Sequence, residues 1–243
     1  MELRNVQMVL RNLLSPNSAV LEFACGTGFY TTHLLDWGAK SLTAMDNSPT
    51  MLGSASARLL NHGLSGCARL VQGDGTTPQS LAPDGKLECF DLAFGAWFLN
   101  YARSKAELTA MFKTISLNLK PGGVFVGIVP HPTDDLKLRA AAYRNPRFRN
   151  TFPRNEYTEE LESGDGWGLQ VSLDDDGVRF MTWHMKQRVY EEAARLGGMK
   201  GRLEWRREQL FKEEWGERFG LSREELQARE ENPHHGILVA YKD

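Results

Sequence analysis

A glycine-containing turn carries the strongest chemical signal in this sequence. Residues 20–31 have the sequence VLEFACGTGFYT, so a short apolar run leads through Gly26 and Gly28 into a helix-compatible segment. Such a turn lets the backbone approach a ligand closely, and it directs free N–H groups and a helix dipole toward that ligand. The pattern predicts a binding site, with a purely structural strand–helix turn as the alternative.

The residues around the glycines indicate which ligand the turn would accept. A dinucleotide-binding turn has a third glycine three residues after the second, but Thr31 stands at that position. Glu22 precedes the glycines, and its carboxylate would repel a pyrophosphate but attract the ammonium group of an amino-acid-like ligand. The turn therefore favours a zwitterionic ligand over a dinucleotide.

Acidic residues also follow the next two predicted strands. Asp46 ends the second apolar run and can accept hydrogen bonds from two ribose hydroxyls. Asp74, between two glycines, can accept a hydrogen bond from an adenine amino group. A helix-entry carboxylate is the alternative role for Asp46, and a turn-forming Asp-Gly pair is the alternative for Asp74. Together with the glycine turn, both residues indicate a nucleoside-containing ligand.

Strands and helices that alternate along the first half of the chain would bring these residues to one edge of a sheet. Apolar runs predict strands at residues 18–23, 41–45, 68–72, 89–94 and 124–129. Apolar spacing and capping residues predict helices near the N-terminus and at residues 29–37, 48–62 and 104–119. Strands that are apolar throughout and separated by helices indicate an α/β fold with a parallel sheet covered on both faces.

The regular alternation ends after Pro130. The sequence predicts a helix at residues 136–143 and a β-hairpin from residues 168–173 and 178–183, closed by an Asp-Gly turn. The whole insertion, residues 131–184, is rich in aromatic residues and would hang over the open end of the sheet. We expect it to be a lid that binds the acceptor, within a single domain spanning residues 1–243.

The C-terminal part of the chain predicts two more strands, at residues 202–205 and 236–241. Between them lies a highly charged segment, residues 206–231. A helical, solvent-exposed face is the prediction for those charges, because runs of charged residues are usually solvated.

The composition is typical of a globular domain and argues against several classes of protein. Of 243 residues, 41% are hydrophobic and 25% charged, and the net charge of −2 gives no overall attraction to nucleic acid or to an anionic membrane. Three cysteines without a paired CxxC spacing favour neither a disulfide framework nor a zinc site. No segment approaches the roughly 20 apolar residues of a membrane span. We expect a cytoplasmic monomer or homodimer without a metal.

Five segments together resemble class I S-adenosylmethionine (SAM)-dependent methyltransferases. They are ExACGTG at 22–28, Asp46 followed by NSPTML, GDG at 73–75, FDLAFG at 90–95 and LKPGGVF at 119–125. The resemblance covers roughly residues 16–130. It implies a Rossmann-like, mostly parallel seven-stranded sheet with helices on both faces and an antiparallel last strand. It also implies SAM as cofactor and methyl transfer as the activity.

The resemblance assigns cofactor contacts by position. The residues assigned to the methionine moiety are Glu22, Ala24, Gly26 and Gly28. The residues assigned to the ribose and adenine are Asp46, Asn47, Met51, Asp74 and Gly75. Gly95 and Ala96 would line the sulfonium side, and Tyr30 would close over the methyl group, with core packing as its alternative. Ala24 departs from the family pattern, which has glycine at this position.

Residues that follow the fourth and fifth strands are the candidates for the acceptor side, because the carboxyl ends of parallel strands face the ligand crevice. Tyr101 and His131 are the catalytic candidates, with His131 as a general base if the acceptor carries a proton. The candidate acceptor contacts are Trp97, Asn100, Trp167 and His184. The alternatives are an ordinary loop histidine for His131 and core packing for the aromatic residues. A flat, apolar or heteroaromatic small molecule would suit such a lining.

Three further stretches, FGAWFLNYA, VPHPTDD and EEAARLGG, are similar to fungal secondary-metabolite methyltransferases of the gliotoxin thiomethyltransferase and toxoflavin N-methyltransferase kind. The sequence leaves open whether sulfur, nitrogen or oxygen accepts the methyl group. It also leaves open three rival functions: an NAD(P)-dependent oxidoreductase, a non-catalytic SAM-binding regulator, and a methyltransferase acting on protein or nucleic acid.

Overall fold

The structure, a computed structural model, describes residues 2–145, 154–172 and 177–243. Its strands are β1 (Ala19–Phe23), β2 (Ser41–Asp46), β3 (Ala68–Gln72), β4 (Phe90–Ala96), β5 (Leu119–Pro130), β6 (Arg154–Glu160), β7 (Gly166–Ser172), β8 (Arg179–Met185), β9 (Leu203–Arg207) and β10 (His235–Tyr241). Its α-helices are α1 (Glu2–Leu10), α2 (Phe29–Asp36), α3 (Pro49–Asn61), α4 (Lys105–Asn118), α5 (Leu136–Tyr143), α6 (Gln187–Leu196), α7 (Lys212–Phe219) and α8 (Arg223–Glu231). A 3₁₀ helix spans Leu99–Tyr101.

A seven-stranded sheet in the order β3-β2-β1-β4-β5-β10-β9 forms the centre of the fold. Strands β1 to β5 are parallel, and β10 is antiparallel to both of its neighbours. Apolar residues cover both faces of the sheet, so β1, β4 and β5 are buried almost throughout. The predicted α/β fold with a mostly parallel seven-stranded sheet is confirmed.

The glycine turn joins β1 to α2 through backbone conformations that favour glycine. Gly26 and Gly28 have φ angles of 55° and 78°, and a Cβ atom at Gly28 would lie 3.1 Å from the Cα and Cβ atoms of Ala55 in α3. Gly28 therefore serves two purposes, because it takes a left-handed conformation and lets α2 and α3 pack closely. Ala24 adopts a φ of 50° in the same turn, although it carries a Cβ.

We expect Gly28→Ala to destabilise the protein by about 1–3 kcal/mol, because alanine disfavours the left-handed backbone and its Cβ would crowd the backbone of α3 at Ala55. Thermal or denaturant unfolding measures the change. Gly26→Ala is the matched control, because a Cβ there meets no atom within 4 Å and only the backbone cost applies. Equal losses for both variants would contradict the packing role of Gly28.

A separate three-stranded antiparallel sheet, in the order β6-β7-β8, is formed by the insertion after β5. The predicted hairpin is present, since β7 and β8 pair from Gly166↔Met185 to Ser172↔Arg179. Residues 173–176, which hold most of its predicted turn, lie outside the described residues. Strand β6 was missed because Tyr157 is the only apolar residue in its RNEYTEE sequence.

The charged segment after β9 contains the two helices α7 and α8, and a capping box at Ser222 begins α8. The prediction of helices is confirmed, and most of the described charged residues of this segment are exposed as predicted, but Glu208 and Arg229 are not. Glu208 and Arg229 are 6% and 3% exposed and form a buried ion pair.

None of the helices in the described part of the chain has the length and apolar character of a membrane span.

Candidate active site

A cavity of about 690 Å³ lies beside the glycine turn, at the carboxyl ends of β1 to β4. We call it the glycine-turn cavity. Eight of the residues predicted to bind the cofactor line it: Ala24, Gly26, Asp46, Asn47, Met51, Asp74, Gly75 and Ala96. Four others do not line it: Glu22, Gly28, Tyr30 and Gly95. The structure therefore brings most of the predicted positions together at one edge of the sheet.

Asp46 links the glycine turn to the end of β2. Its Oδ2 accepts a hydrogen bond from the Gly26 N–H at 2.8 Å, and its Oδ1 accepts one from the Ser48 N–H at 2.9 Å. The N-cap of α3 is Ser48, whose Oγ accepts from the Met51 N–H. Asp46 is thus not the capping side chain, and a carboxylate has further lone pairs for a ligand in the cavity.

Glu22 lies behind the turn and is almost completely buried. Burial raises the pKa of its carboxyl group to about 8, although the hydrogen bond that Thr31 Oγ1 donates at 2.7 Å opposes that shift. The group is therefore mostly protonated near pH 7. A cationic ligand brought close to Glu22 would favour its ionised form.

Asp74 and the glycines near it shape the other end of the glycine-turn cavity. Asp74 Oδ1 accepts hydrogen bonds from both the N–H and the hydroxyl of Thr76, as expected of a turn-forming aspartate. No described residue bonds its Oδ2. A Cβ on Gly75 would clash with the Phe98 ring at 2.4 Å, and one on Gly95 would meet Phe98 Cβ at 3.0 Å. Both glycines therefore allow Phe98 to pack beneath the cavity.

Tyr30 lies in the core instead of over the cavity. It is 6% exposed, packs on Phe94, and donates its hydroxyl to Glu2 Oε1 at 2.7 Å. The core-packing alternative is thus the one that this structure supports for Tyr30.

A second cavity, of about 620 Å³, lies between the main sheet, the small sheet and the C-terminal helices. We call it the aromatic cavity, because Phe29, Trp97, Phe180, Trp215 and Phe219 line it. Trp97 and Tyr101 line both cavities, so the two cavities meet at these side chains. Ligands bound in the two cavities would therefore approach each other at this junction.

Trp97 is held at this junction by a strained backbone and a polar anchor. Its φ of 57° is unusual for a bulky residue, and its Nε1 donates to Glu2 Oε2 at 2.9 Å. Strain of this kind costs of order 1–3 kcal/mol and clusters at functional sites.

Strand β8 separates the two cavities. Phe180 and Thr182 line the aromatic cavity, whereas Met181 and Trp183 line the glycine-turn cavity. This alternation follows from the two-residue period of a β-strand. The small sheet thus contributes side chains to both cavities.

The two predicted catalytic residues lie in different places. Tyr101 stands half exposed at the junction, and its pKa is raised by burial and by the charge of Asp46. His131 lines neither cavity. Burial, followed by the charge of Arg139, lowers the pKa of His131 to about 4. A histidine with such a low pKa, whose side chain lines neither cavity, is poorly suited to act as a general base.

The predicted acceptor contacts also separate. Trp97 and Asn100 line the aromatic cavity, but Trp167 and His184 do not. His184 is fully buried, and its Nδ1 lies 2.7 Å from the Tyr157 hydroxyl. Burial, and then the charge of Arg139, hold the pKa of His184 well below its ordinary value. Trp167 packs beside Tyr157 and Leu169.

Sequence reasoning missed a polar cluster on the aromatic cavity: Glu208, Arg229, His234 and His235. Strand β10 runs antiparallel to β5, so its first residue, His235, pairs with Pro130 at the carboxyl end of β5. The signal available in the sequence was the expected antiparallel last strand, because the first residues of such a strand lie at the edge of the sheet where the parallel strands end. No group of three or more His, Cys, Asp or Glu side chains arranged for a metal ion occurs among the described residues.

Comparisons with known proteins agree with this geometry. A family model described as a methyltransferase domain matches residues 20–123. A search of curated proteins finds no match. Among solved structures, a SAM-dependent methyltransferase from Mesorhizobium loti has 20% identity and a TM-score of 0.61, covering 98% of each chain. One from Methanosarcina mazei has 17% identity and a TM-score of 0.62, covering 96% of each chain. The CcbJ methyltransferase of Streptomyces caelestis has 17% identity and a TM-score of 0.62, covering 98% of this chain and 94% of that one.

The fold is therefore that of the SAM-dependent methyltransferases. Residues 20–123 match the methyltransferase domain model, and the solved structures that share the fold include methyltransferases that depend on SAM as cofactor. The glycine-turn cavity fits this cofactor, since Asp46 offers a carboxylate beside the turn while Met51 and Phe98 offer apolar surface. The domain match and the fold disfavour the alternative of an NAD(P)-dependent oxidoreductase.

Proposed function

We propose that the protein methylates a small, apolar or heteroaromatic acceptor that binds in the aromatic cavity. The observation that carries this proposal is the junction at Trp97 and Tyr101, where the aromatic cavity meets the glycine-turn cavity. A volume of about 620 Å³ lies within the range of small-molecule sites. Its aromatic lining suits a flat ligand.

The residues of this chain would act mainly by binding and positioning. When bound, SAM supplies an electrophilic methyl group on a sulfonium. The glycine turn and Asp46 would hold it in the glycine-turn cavity, and Asp74 and Gly75 would border its adenine. Trp97 and Tyr101 would align the acceptor and exclude water, and alignment alone can account for much of the rate of such a displacement.

The insertion at residues 131–184 is proposed to be the specificity lid of a single domain that spans residues 1–243. Five residues of its small sheet line the aromatic cavity: Asn155, Leu169, Val171, Phe180 and Thr182. An acceptor like those of the gliotoxin or toxoflavin methyltransferases, with a sulfur, nitrogen or oxygen nucleophile, is compatible with this lining. A non-catalytic SAM-binding regulator is the second candidate. The aromatic cavity is evidence against this candidate, because a regulator needs no acceptor site.

Two measurements test the proposed function. Calorimetry with SAM should give binding, and a methyl-release screen over phenols, amines and thiols should give turnover with at least one apolar ring compound. SAM binding without turnover across the screen would favour the regulator. No SAM binding would contradict both candidates.

We expect Phe180→Ala to raise the KM for the acceptor and leave the Kd for SAM unchanged, because Phe180 lines only the aromatic cavity of the two. The neighbouring Met181→Ala is the matched control, since Met181 lines only the glycine-turn cavity and should weaken SAM binding instead. Loss of a buried apolar contact of this size corresponds to about 1–2 kcal/mol, or roughly 5- to 30-fold. The same response in both variants would contradict the division of the two cavities by β8.

A further inference from the structure

The carboxylate of Glu2 is held in a fixed position on the wall of the aromatic cavity. Its Oε1 accepts a hydrogen bond from the Tyr30 hydroxyl at 2.7 Å, and its Oε2 accepts one from Trp97 Nε1 at 2.9 Å. Glu2 lines the aromatic cavity and is partly buried. Two neutral donors thus orient the carboxylate, and both of its oxygens keep lone pairs for a further partner.

The negative charge of Glu2 has no counter-ion in the described part of the chain. None of the ion pairs among those residues includes Glu2. The basic residue nearest to it in sequence, Arg4, pairs with Glu214 at 2.9 Å and lies over the Phe211 ring at 3.7 Å. A carboxylate that is partly removed from water without a counter-ion carries a desolvation cost. A cation bound in the cavity would offset that cost.

The other acidic and basic residues described on this cavity compensate each other. Glu208 and Arg229 form an ion pair at 3.1 Å, and their side chains are 0% and 4% exposed. His234 also lines the cavity, but burial and the charge of Arg229 hold its pKa well below the usual value, so it stays neutral. Of the charged groups described here, the carboxylate of Glu2 is therefore the one that a ligand can reach.

Aromatic rings on the same cavity add to this negative potential. Trp97 contacts Glu2 directly, and Phe29, Trp215 and Phe219 line the same cavity. Trp215 and Phe219 lie one turn apart on α7, with ring centroids at 4.8 Å. The face of an aromatic ring attracts a cation, and several rings with a carboxylate form the kind of environment that recognises organic ammonium ions.

Two simpler roles for Glu2 have to be separated from ligand recognition. An acidic residue in the first turn of α1 stabilises that helix through its dipole. The hydrogen bond to Trp97 also helps to hold that side chain at the junction of the two cavities. Neither role requires that the carboxylate lack a counter-ion and line a cavity. A neutral isostere that keeps the hydrogen bonds distinguishes recognition from the second role.

We propose that the acceptor is an aromatic compound that carries a positively charged nitrogen, and that Glu2, with the aromatic walls of the cavity, recognises this nitrogen. This inference rests on the proposed function and names the substrate class of the same site. A protonated or quaternary nitrogen has no lone pair, so it is the recognition group and another atom of the acceptor takes the methyl group. Because Trp97 lines both cavities, an ion held by Glu2 would anchor the acceptor beside the junction.

Two probes that differ in charge test this recognition without methylation. (3-Hydroxyphenyl)trimethylammonium and 3-tert-butylphenol have nearly the same shape, but the first carries a positive charge and the second is neutral. Calorimetry in the presence of S-adenosylhomocysteine gives the Kd of each probe. We expect wild type to bind the cation roughly 10-fold more tightly than the neutral probe.

Glu2→Gln is the variant that removes the charge. Its amide can still accept from Trp97 and bond the Tyr30 hydroxyl, so the variant should keep the Kd for SAM and for 3-tert-butylphenol and lose most of the preference for the cation. Glu217→Gln is the matched control, because Glu217 is exposed on α7, the helix that carries Trp215 and Phe219. It removes the same charge outside the cavity and should keep the full preference.

The wild-type protein provides an independent measure, because salt screens the attraction between a partly exposed carboxylate and a cation. Raising the sodium chloride concentration should weaken binding of the cation and should not weaken binding of 3-tert-butylphenol. If Glu2→Gln loses SAM binding as well, this salt dependence decides: weaker cation binding at high salt supports the inference, and unchanged binding overturns it.

Several results would overturn the inference. They are absence of cation binding by wild type, equal affinity of wild type for the two probes, a preference that persists in Glu2→Gln, and an equal loss of preference in Glu217→Gln. Tighter binding of the anionic probe 3-hydroxybenzoate than of 3-tert-butylphenol would also overturn it, because Glu2 should repel that probe.

The outcomes separate this inference from the proposed function. Methylation of neutral ring compounds, with no preference for the cationic probe, would overturn the charged acceptor while leaving methyl transfer intact. A preference for the cation in a protein that does not bind SAM would support recognition by Glu2 and contradict the proposed function.

Discussion

Asp46→Ala is expected to weaken SAM binding about 10- to 150-fold and to lower the free energy of unfolding by about 3 kcal/mol. The first effect follows from losing one charged hydrogen-bond acceptor for the ribose, which corresponds to about 1.5–3 kcal/mol. The second follows because the Gly26 and Ser48 N–H groups lose their acceptor. Calorimetry and denaturant unfolding measure the two effects separately.

Asp36→Ala is the control for this prediction, since Asp36 is exposed at the end of α2 and should change neither quantity. The SAM affinity and the free energy of unfolding of Asp46→Asn should lie between those of wild type and of Asp46→Ala, because the amide keeps one acceptor oxygen. A loss of stability with unchanged SAM affinity would mean that Asp46 only ties the turn to β2.

Glu22→Gln is expected to remove a large pH dependence of stability. The pKa of Glu22 is raised from 4.5 to about 8 in the folded protein, so the folded state holds a proton that the unfolded state has released. Stability from this group is complete below pH 4.5 and is lost as the pH rises toward 8, by about 5 kcal/mol. A glutamine keeps the hydrogen bond from Thr31 and carries no charge, so the variant should be more stable than wild type at pH 8.

The same residue should link SAM binding to proton release. If the ammonium group of SAM approaches Glu22, it favours the carboxylate, so binding near pH 7 should release a proton. Calorimetry in buffers of different ionisation enthalpy measures that release, which Glu22→Gln should abolish along with part of the affinity. Glu217→Gln, at an exposed position in α7, should behave as wild type. Unchanged affinity and no proton release would leave Glu22 as a structural partner of Thr31 alone.

The positions at the glycine-turn cavity could be predicted because they depend on local rules. An apolar run, a turn with Gly26 and Gly28, and Asp46 at the next strand end each follow from a few neighbouring residues. Parallel topology then brings the strand ends to one edge. The same local rules left both roles open for Tyr30, since a residue two positions after Gly28 can face the core or the ligand, and only packing against Phe94 decides which.

The aromatic cavity could not be predicted in the same way. Strand β6 lacks an apolar pattern and forms by pairing with β7, and Asn155 reaches the cavity only through that pairing. His131 was favoured because it follows an apolar strand, but its ring lines neither cavity. Periodicity describes one segment at a time, whereas these placements depend on contacts between segments.

The sequence by itself determined the α/β sheet, the glycine turn and the acidic residues that border it, because strand periodicity and turn chemistry are local. Only the tertiary structure decided which residues line the aromatic cavity. Glu208 and Arg229 lie in a segment whose charges predict a solvated surface. They can be buried together because the attraction between the two charges offsets the free-energy cost of removing each charge from water. His235 joins them because β10 runs antiparallel to β5, and that direction is set by the pairing of strands more than a hundred residues apart.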